Sequence, residues 1–132
     1  MTLYVKRQLK VSVADNRSYD NPLVSVGASE ESYSDESHST KVTDSLIVVA
    51  AAATDLALPM GVGLSTGRGL YIESDQDITI KLGGTEAARA ISLKVPATSK
   101  KARAYLDAEF TSLYASNAGA TDANVYYAVI GS

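Results

Sequence analysis

The stretch Leu70-Tyr71-Ile72-Glu73-Ser74-Asp75-Gln76-Asp77-Ile78-Thr79-Ile80-Lys81-Leu82 decides the fold. Each half is a five-residue run rich in β-branched and aromatic residues. Polar side chains fall at every second position in the latter run, which is the period of a half-buried strand. Asp75-Gln76-Asp77 separates the two runs and Gly83-Gly84 closes the second. The two aspartates are expected to cap a hairpin turn through nearby backbone amides.

Strand candidates continue on both sides. Downstream, Ala90-Ile91-Ser92-Leu93-Lys94-Val95 alternates and stops at Pro96, and a final strand is expected over Asn124–Ile130 after the turn-rich Ser116-Asn117-Ala118-Gly119. Upstream lie Leu46–Ala50 and Leu56-Ala57-Leu58, the latter ending at Pro59. Glycines 61, 63, 67 and 69 then read as a flexible turn region. Short strands at spacings of roughly 8–12 residues indicate an antiparallel β-sandwich or barrel. Lys100–Ala115 admits two readings. Leu106, Phe110 and Leu113 recur at helical spacing, whereas Leu106, Ala108 and Phe110 also fit the inward face of a strand. The strand is preferred, because a two-sheet fold needs a penultimate strand to pair with the last.

The N-terminal third has a different character. Leu3, Val5, Leu9, Val11 and Val13 alternate against Lys6 and Lys10, giving a strand over residues 1–14 that Arg7 interrupts. Residues 15–44 are rich in Ser, Asp, Glu and Asn, with an apolar patch at Leu23, Val24 and Val26. The run Ser29–Ser37 buries too little apolar surface to offset an ordering cost of about 1–2 kcal/mol per residue. It is expected to be a long loop or arm that orders against a neighbour. The organisation expected is therefore one domain over 1–132, with an N-terminal strand (1–14), a polar arm (15–44) and the main sandwich (45–132).

Composition narrows the chemistry. The 132 residues carry no cysteine, one histidine (His38) and a net charge of −3. Disulfides and thiolate metal sites are thereby excluded, and the dense basic footprint of a nucleic-acid binder is lacking. The longest apolar run, Leu46–Ala53, is far shorter than the ~20 residues of a spanning helix, so no membrane association is expected. Asn16-Arg17-Ser18 matches a glycosylation tripeptide too common to carry weight.

Gly63-Leu64-Ser65-Thr66-Gly67 matches the G-x-S-x-G nucleophile elbow. That device needs a strand before the serine and a helix after it. Here Arg68–Ile72 reads as a strand, and His38 precedes the serine, against the chain order of that hydrolase fold. A partial G-x-G pattern beginning at Gly61 fails on the same flanks. The carboxylates Glu30, Glu31, Asp35 and Glu36, and Glu73, Asp75 and Asp77, lack the spacing of a calcium loop. No catalytic, cofactor-binding or metal-binding residue is expected, and no cofactor. Eight tyrosines against one phenylalanine point instead to contact surfaces, since tyrosine offers a large apolar area with a polar tip. Tyr126 and Tyr127 are adjacent, so in a strand they face opposite ways. Tyr4, Tyr19, Tyr33, Tyr126 and Tyr127 are the interface candidates.

From Gly69 onward the chain resembles small structural proteins of tailed-bacteriophage virions. The resemblance rests on Gly69–Lys81, on Phe110-Thr111-Ser112-Leu113-Tyr114-Ala115-Ser116-Asn117 and on Thr121–Gly131, about half the chain. It implies a jelly-roll-like sandwich, often trimeric, that decorates or cements a capsid. The implied partners are the major capsid protein or other virion proteins, and the implied location is the virion, assembled in the host cytoplasm. The alternative reading is a carbohydrate- or receptor-binding β-sandwich of a tail or fibre.

Overall fold

The structure, a computed structural model, describes residues 11–13, 24–26 and 41–132. The chain divides into two compact units. In the smaller, spanning Tyr4–Ser37, β1 (Val11–Val13) pairs antiparallel with β2 (Val24–Val26). Val24–Val26, expected within the polar arm, is thus a strand, formed where that arm carries its apolar patch. Tyr4, Tyr19, Tyr33, His38, the acidic cluster Glu30–Glu36 and the N-terminal strand before Val11 lie outside the described residues.

The larger unit is an all-β sandwich of eight strands: β3 (Lys41–Val49), β4 (Leu56–Leu58), β5 (Gly67–Ser74), β6 (Ile78–Leu82), β7 (Ala90–Leu93), β8 (Ala102–Leu106), β9 (Leu113–Ser116) and β10 (Ala123–Gly131). One sheet has the order β3-β10-β5-β8 and the other β4-β9-β6-β7. Every neighbouring pair is antiparallel. Strands three and ten, four and nine, five and eight, and six and seven are partners. The unit therefore has the connectivity of one long antiparallel ribbon, turning at β6–β7 and rolled into two sheets. That is the order of a jelly roll.

Alternation specifies which face goes in. Along β10, Ala123, Val125, Tyr127 and Val129 are buried while Asn124, Tyr126, Ala128 and Ile130 are not. Leu70 and Ile72 of β5, Ile78 and Ile80 of β6, Leu113 and Ala115 of β9 and Val49 of β3 join them in the core, with Leu58, Met60, Leu93, Ala102 and Phe110. Each fully buried branched side chain contributes about 1.5–3 kcal/mol relative to exposure. A one-residue slip of any strand would turn this set outward.

Three local expectations change. β5 and β6 lie in opposite sheets, so Asp75 and Asp77 cap no hairpin. Asp75 accepts hydrogen bonds from Asn124 N at 2.8 Å and Nδ2 at 2.7 Å, and Asp77 accepts from Val95 N at 2.8 Å. Asp75 thereby ties its loop to β10, and Asp77 ties it to the segment just after β7. Gly67 and Gly69 belong to β5 rather than to a turn. Phe110 explains Gly67: its ring lies where a Cβ would stand, while Gly67 N donates to Phe110 O at 2.7 Å and Phe110 N donates back at 2.9 Å. Gly61, with φ of 100°, does occupy a left-handed turn. Lys41–Asp44, expected as the end of the arm, is the start of β3, because the nine-residue β10 supplies a backbone partner for each of these positions.

The ambiguous Lys100–Ala115 is extended, but as two strands, β8 and the start of β9, with Phe110 bridging to Gly67 between them. The penultimate strand does not pair with the last. β9 lies in the second sheet, and β10 pairs with β3 and β5. Ala108, expected inward, is exposed.

Candidate interaction surface

The outward face of the β3-β10-β5-β8 sheet can be built row by row from the register. One row runs Leu46, Tyr126, Glu73, Arg103; the next runs Asp44, Ala128, Tyr71, Tyr105. Val42 and Ile130 share a further row, and Val48 and Asn124 another. Apolar and aromatic groups thus recur over the middle of a face that the sandwich core does not use. Leu46 is 74% exposed, Val42 55% and Val48 53%.

Tyr126 stands on this face and Tyr127 does not. The Tyr126 ring meets Tyr71 edge to face, with centroids 6.3 Å apart, a favourable aromatic geometry. Its hydroxyl donates to Asp44 Oδ2 at 3.3 Å. Desolvation, and then the Asp44 carboxylate, push the Tyr126 hydroxyl above its ordinary pKa. Tyr127 is 2% exposed and donates to Pro59 O at 2.7 Å. It reaches the segment after β4 through a part-buried hydrogen bond and is not an interface side chain, contrary to the expectation for this position. Strand alternation allows only one of two adjacent tyrosines to leave the core.

A charged cluster occupies the β8 side. Glu73 accepts from Tyr71 at 2.5 Å, from Lys101 Nζ at 3.2 Å and from Arg103 Nε at 3.2 Å. The Tyr71 hydrogen bond, followed by that of Lys101, lowers the Glu73 carboxyl to about 2. Glu73 in turn raises the Tyr71 hydroxyl. Charge-assisted bonds of this kind hold the Tyr71 hydroxyl against the sheet.

Tyr71, Tyr105, Val42, Leu46 and Val48 were not among the residues expected at an interface. One signal for the aliphatic members was present in the sequence. Leu46-Ile47-Val48-Val49 is apolar at every position, and in an antiparallel sandwich with one wet face a strand of that kind must expose half of its side chains. Ile47 and Val49 take the inner positions.

Other features of the chain are structural. Ser65 precedes β5, with no helix after it, and its Oγ donates to Ser132 O at 3.2 Å. The nucleophile-elbow geometry is absent at this serine. An open depression of about 590 Å³ is lined by Asp75, Asp77, Thr79, Lys94 and Asn117, among others. Asp75, Asp77 and Asn117 there are engaged by the protein itself. Asn117 is fully buried, donating to Val49 O at 3.1 Å and Thr121 O at 2.8 Å while accepting from Gly119 N at 3.0 Å. Asn117 is thus a latch on the end of β3. Among the described residues no three metal-ligating side chains converge, and no helix is long and apolar enough to cross a membrane. No protein-family model matches the chain, and no curated protein matches it.

Proposed function

We propose that this protein is a non-enzymatic structural component of a bacteriophage virion, decorating or cementing the capsid through protein–protein contacts as a homo-oligomer. The observation that carries this reading is the exposed row Val42, Leu46 and Val48 beside Tyr71, Tyr105 and Tyr126, on a jelly-roll scaffold. Contiguous apolar groups on the outside of a soluble scaffold mark interaction surfaces, and aromatic residues are enriched in them. Jelly rolls build viral shells, and also lectins and cupins, so the scaffold supports the reading by analogy alone. The surface supports it by chemistry. Ser65, tied to Ser132 and followed by a strand, offers no activated nucleophile. Repetition on a shell would strengthen individually weak contacts by avidity.

The test is co-sedimentation of the purified chain with assembled tailed-phage heads stripped of decoration. Saturable binding that falls when Leu46 and Tyr126 are replaced by polar residues is the expected result. Failure to bind heads, with selective binding on a glycan array, would replace this reading by the carbohydrate-binding alternative.

A further inference from the structure

A sheet edge is a row of unpaired backbone donors and acceptors, and folded proteins keep such edges short or guard them with charge. Three of the four edge strands here obey that rule. β4 has three residues, β7 four and β8 five, and β8 carries Arg103 outward with Lys101 just before it. β3 departs from it. It has nine residues, its charges are confined to Lys41 and Asp44, and its outward side chains include Val42, Leu46 and Val48. Among the described residues, β10 is its sole strand neighbour.

We propose that β3 pairs edge to edge with β3 of a second copy, joining two four-stranded sheets across a two-fold axis. This rests on the reading that the protein acts through protein contacts, and it names one of the partners. The argument for a second copy is self-complementarity, which a two-fold contact requires of one patch. Antiparallel pairing centred on Ser45 sets Val42 opposite Val48 of the second copy and Asp44 opposite Leu46. The two Leu46 side chains become diagonal neighbours within reach of one another. Because residues equidistant from Ser45 share a face, all six aliphatic groups fall on the outward side and form one strip. Centring on Asp44 would oppose two carboxylates, and centring on Leu46 would leave Val42 without a partner. No like charges meet in the Ser45 register. A contact of this symmetry differs from the trimer that the phage resemblance implies.

The experiment measures mass against concentration by light scattering and sedimentation for the full chain and for Leu46→Lys, a change at an exposed position that the fold tolerates. The wild type is expected to form dimers, and the substitution to weaken them about tenfold or more. Since the chain has no cysteine, Leu46→Cys provides a second readout. A short bis-maleimide should link it into covalent dimers, whereas Arg103→Cys on the opposite edge should not be cross-linked. A wild-type monomer at every concentration overturns the proposal. So does an oligomer, trimer included, whose mass Leu46→Lys leaves unchanged. Co-sedimentation with heads is scored in parallel. A wild type that binds heads without pairing refutes the pairing alone, and a wild type that pairs without binding heads refutes the virion reading alone.

Discussion

The two edges of the β3-β10-β5-β8 sheet are built from the same kind of strand and treated in opposite ways. β8 is short, and its outward positions are held in a network of Arg103, Lys101, Glu73 and Tyr71. β3 is nearly twice as long, and its outward positions are aliphatic except for Asp44. Both contribute inward residues to one core, Val49 from β3 and Ala102 from β8. The folding requirement is therefore met at either edge, and the difference lies in what each shows to its surroundings. Charges at β8 discourage another strand from adding there, because pairing would strip water from them. At β3 pairing would remove apolar surface from water and satisfy backbone groups together.

The largest expected effect separates inner from outer side on β3 itself. Val49→Ala, at a fully buried position, should cost about 2 kcal/mol in denaturant unfolding. Leu46→Ala should stay within about 0.5 kcal/mol for the monomer. Equal costs would mean that Leu46 is packed and the edge is not open. Next, Asn117→Ala removes the latch on Val49 O and Thr121 O, at about 1–2 kcal/mol. Hydrogen exchange should show the loss concentrated at the C-terminal end of β3 and spare β8. Removing the guard sharpens the contrast from the other side. Lys101→Leu with Arg103→Leu should make the β8 edge associate, seen as a concentration-dependent mass increase, with little change in unfolding free energy.

The smallest effect is electrostatic and confined to β8. Glu73 is lowered to about 2 by the hydroxyl of Tyr71 and by Lys101. Its folded-state pKa lies below the unfolded value, so its contribution is fully present above pH about 4.5 and is lost as pH falls towards 2. Glu73→Gln should flatten the stability profile across that window. The amplitude should be small and screened by salt, as for exposed ion pairs generally. An unchanged acid profile would show that the cluster does not stabilise the folded state.

The all-β architecture was legible from period-two alternation and from turn residues at regular spacing. Strands at Leu56–Leu58, Ile78–Leu82 and Ala123–Gly131 needed nothing more. The sheet partners were not legible. β5 and β6 follow one another with three residues between, which reads as a hairpin, yet they lie in opposite sheets because the chain rolls as a ribbon of distant pairs. The same long-range pairing explains why the last two strands are not neighbours. Gly67 could not be placed without Phe110, forty-three residues away in sequence, whose ring occupies its missing side chain. Of the candidate interface, Tyr126 was reachable by alternation. Tyr127 went to the core because it shares the inward face of β10 with Ala123, Val125 and Val129. Tyr71 and Tyr105 became neighbours through the β5–β8 register, information that no local window contains.

The contrast between the edges is tested most directly by amide hydrogen exchange measured residue by residue at low and high protein concentration. The outward-pointing amides of β3 over 41–49 should gain protection as concentration rises, while those of β8 over 102–106 stay unchanged. Protection of β3 that is already complete at low concentration, or a gain that appears at β8 instead, would contradict the assignment of β3 as the open edge.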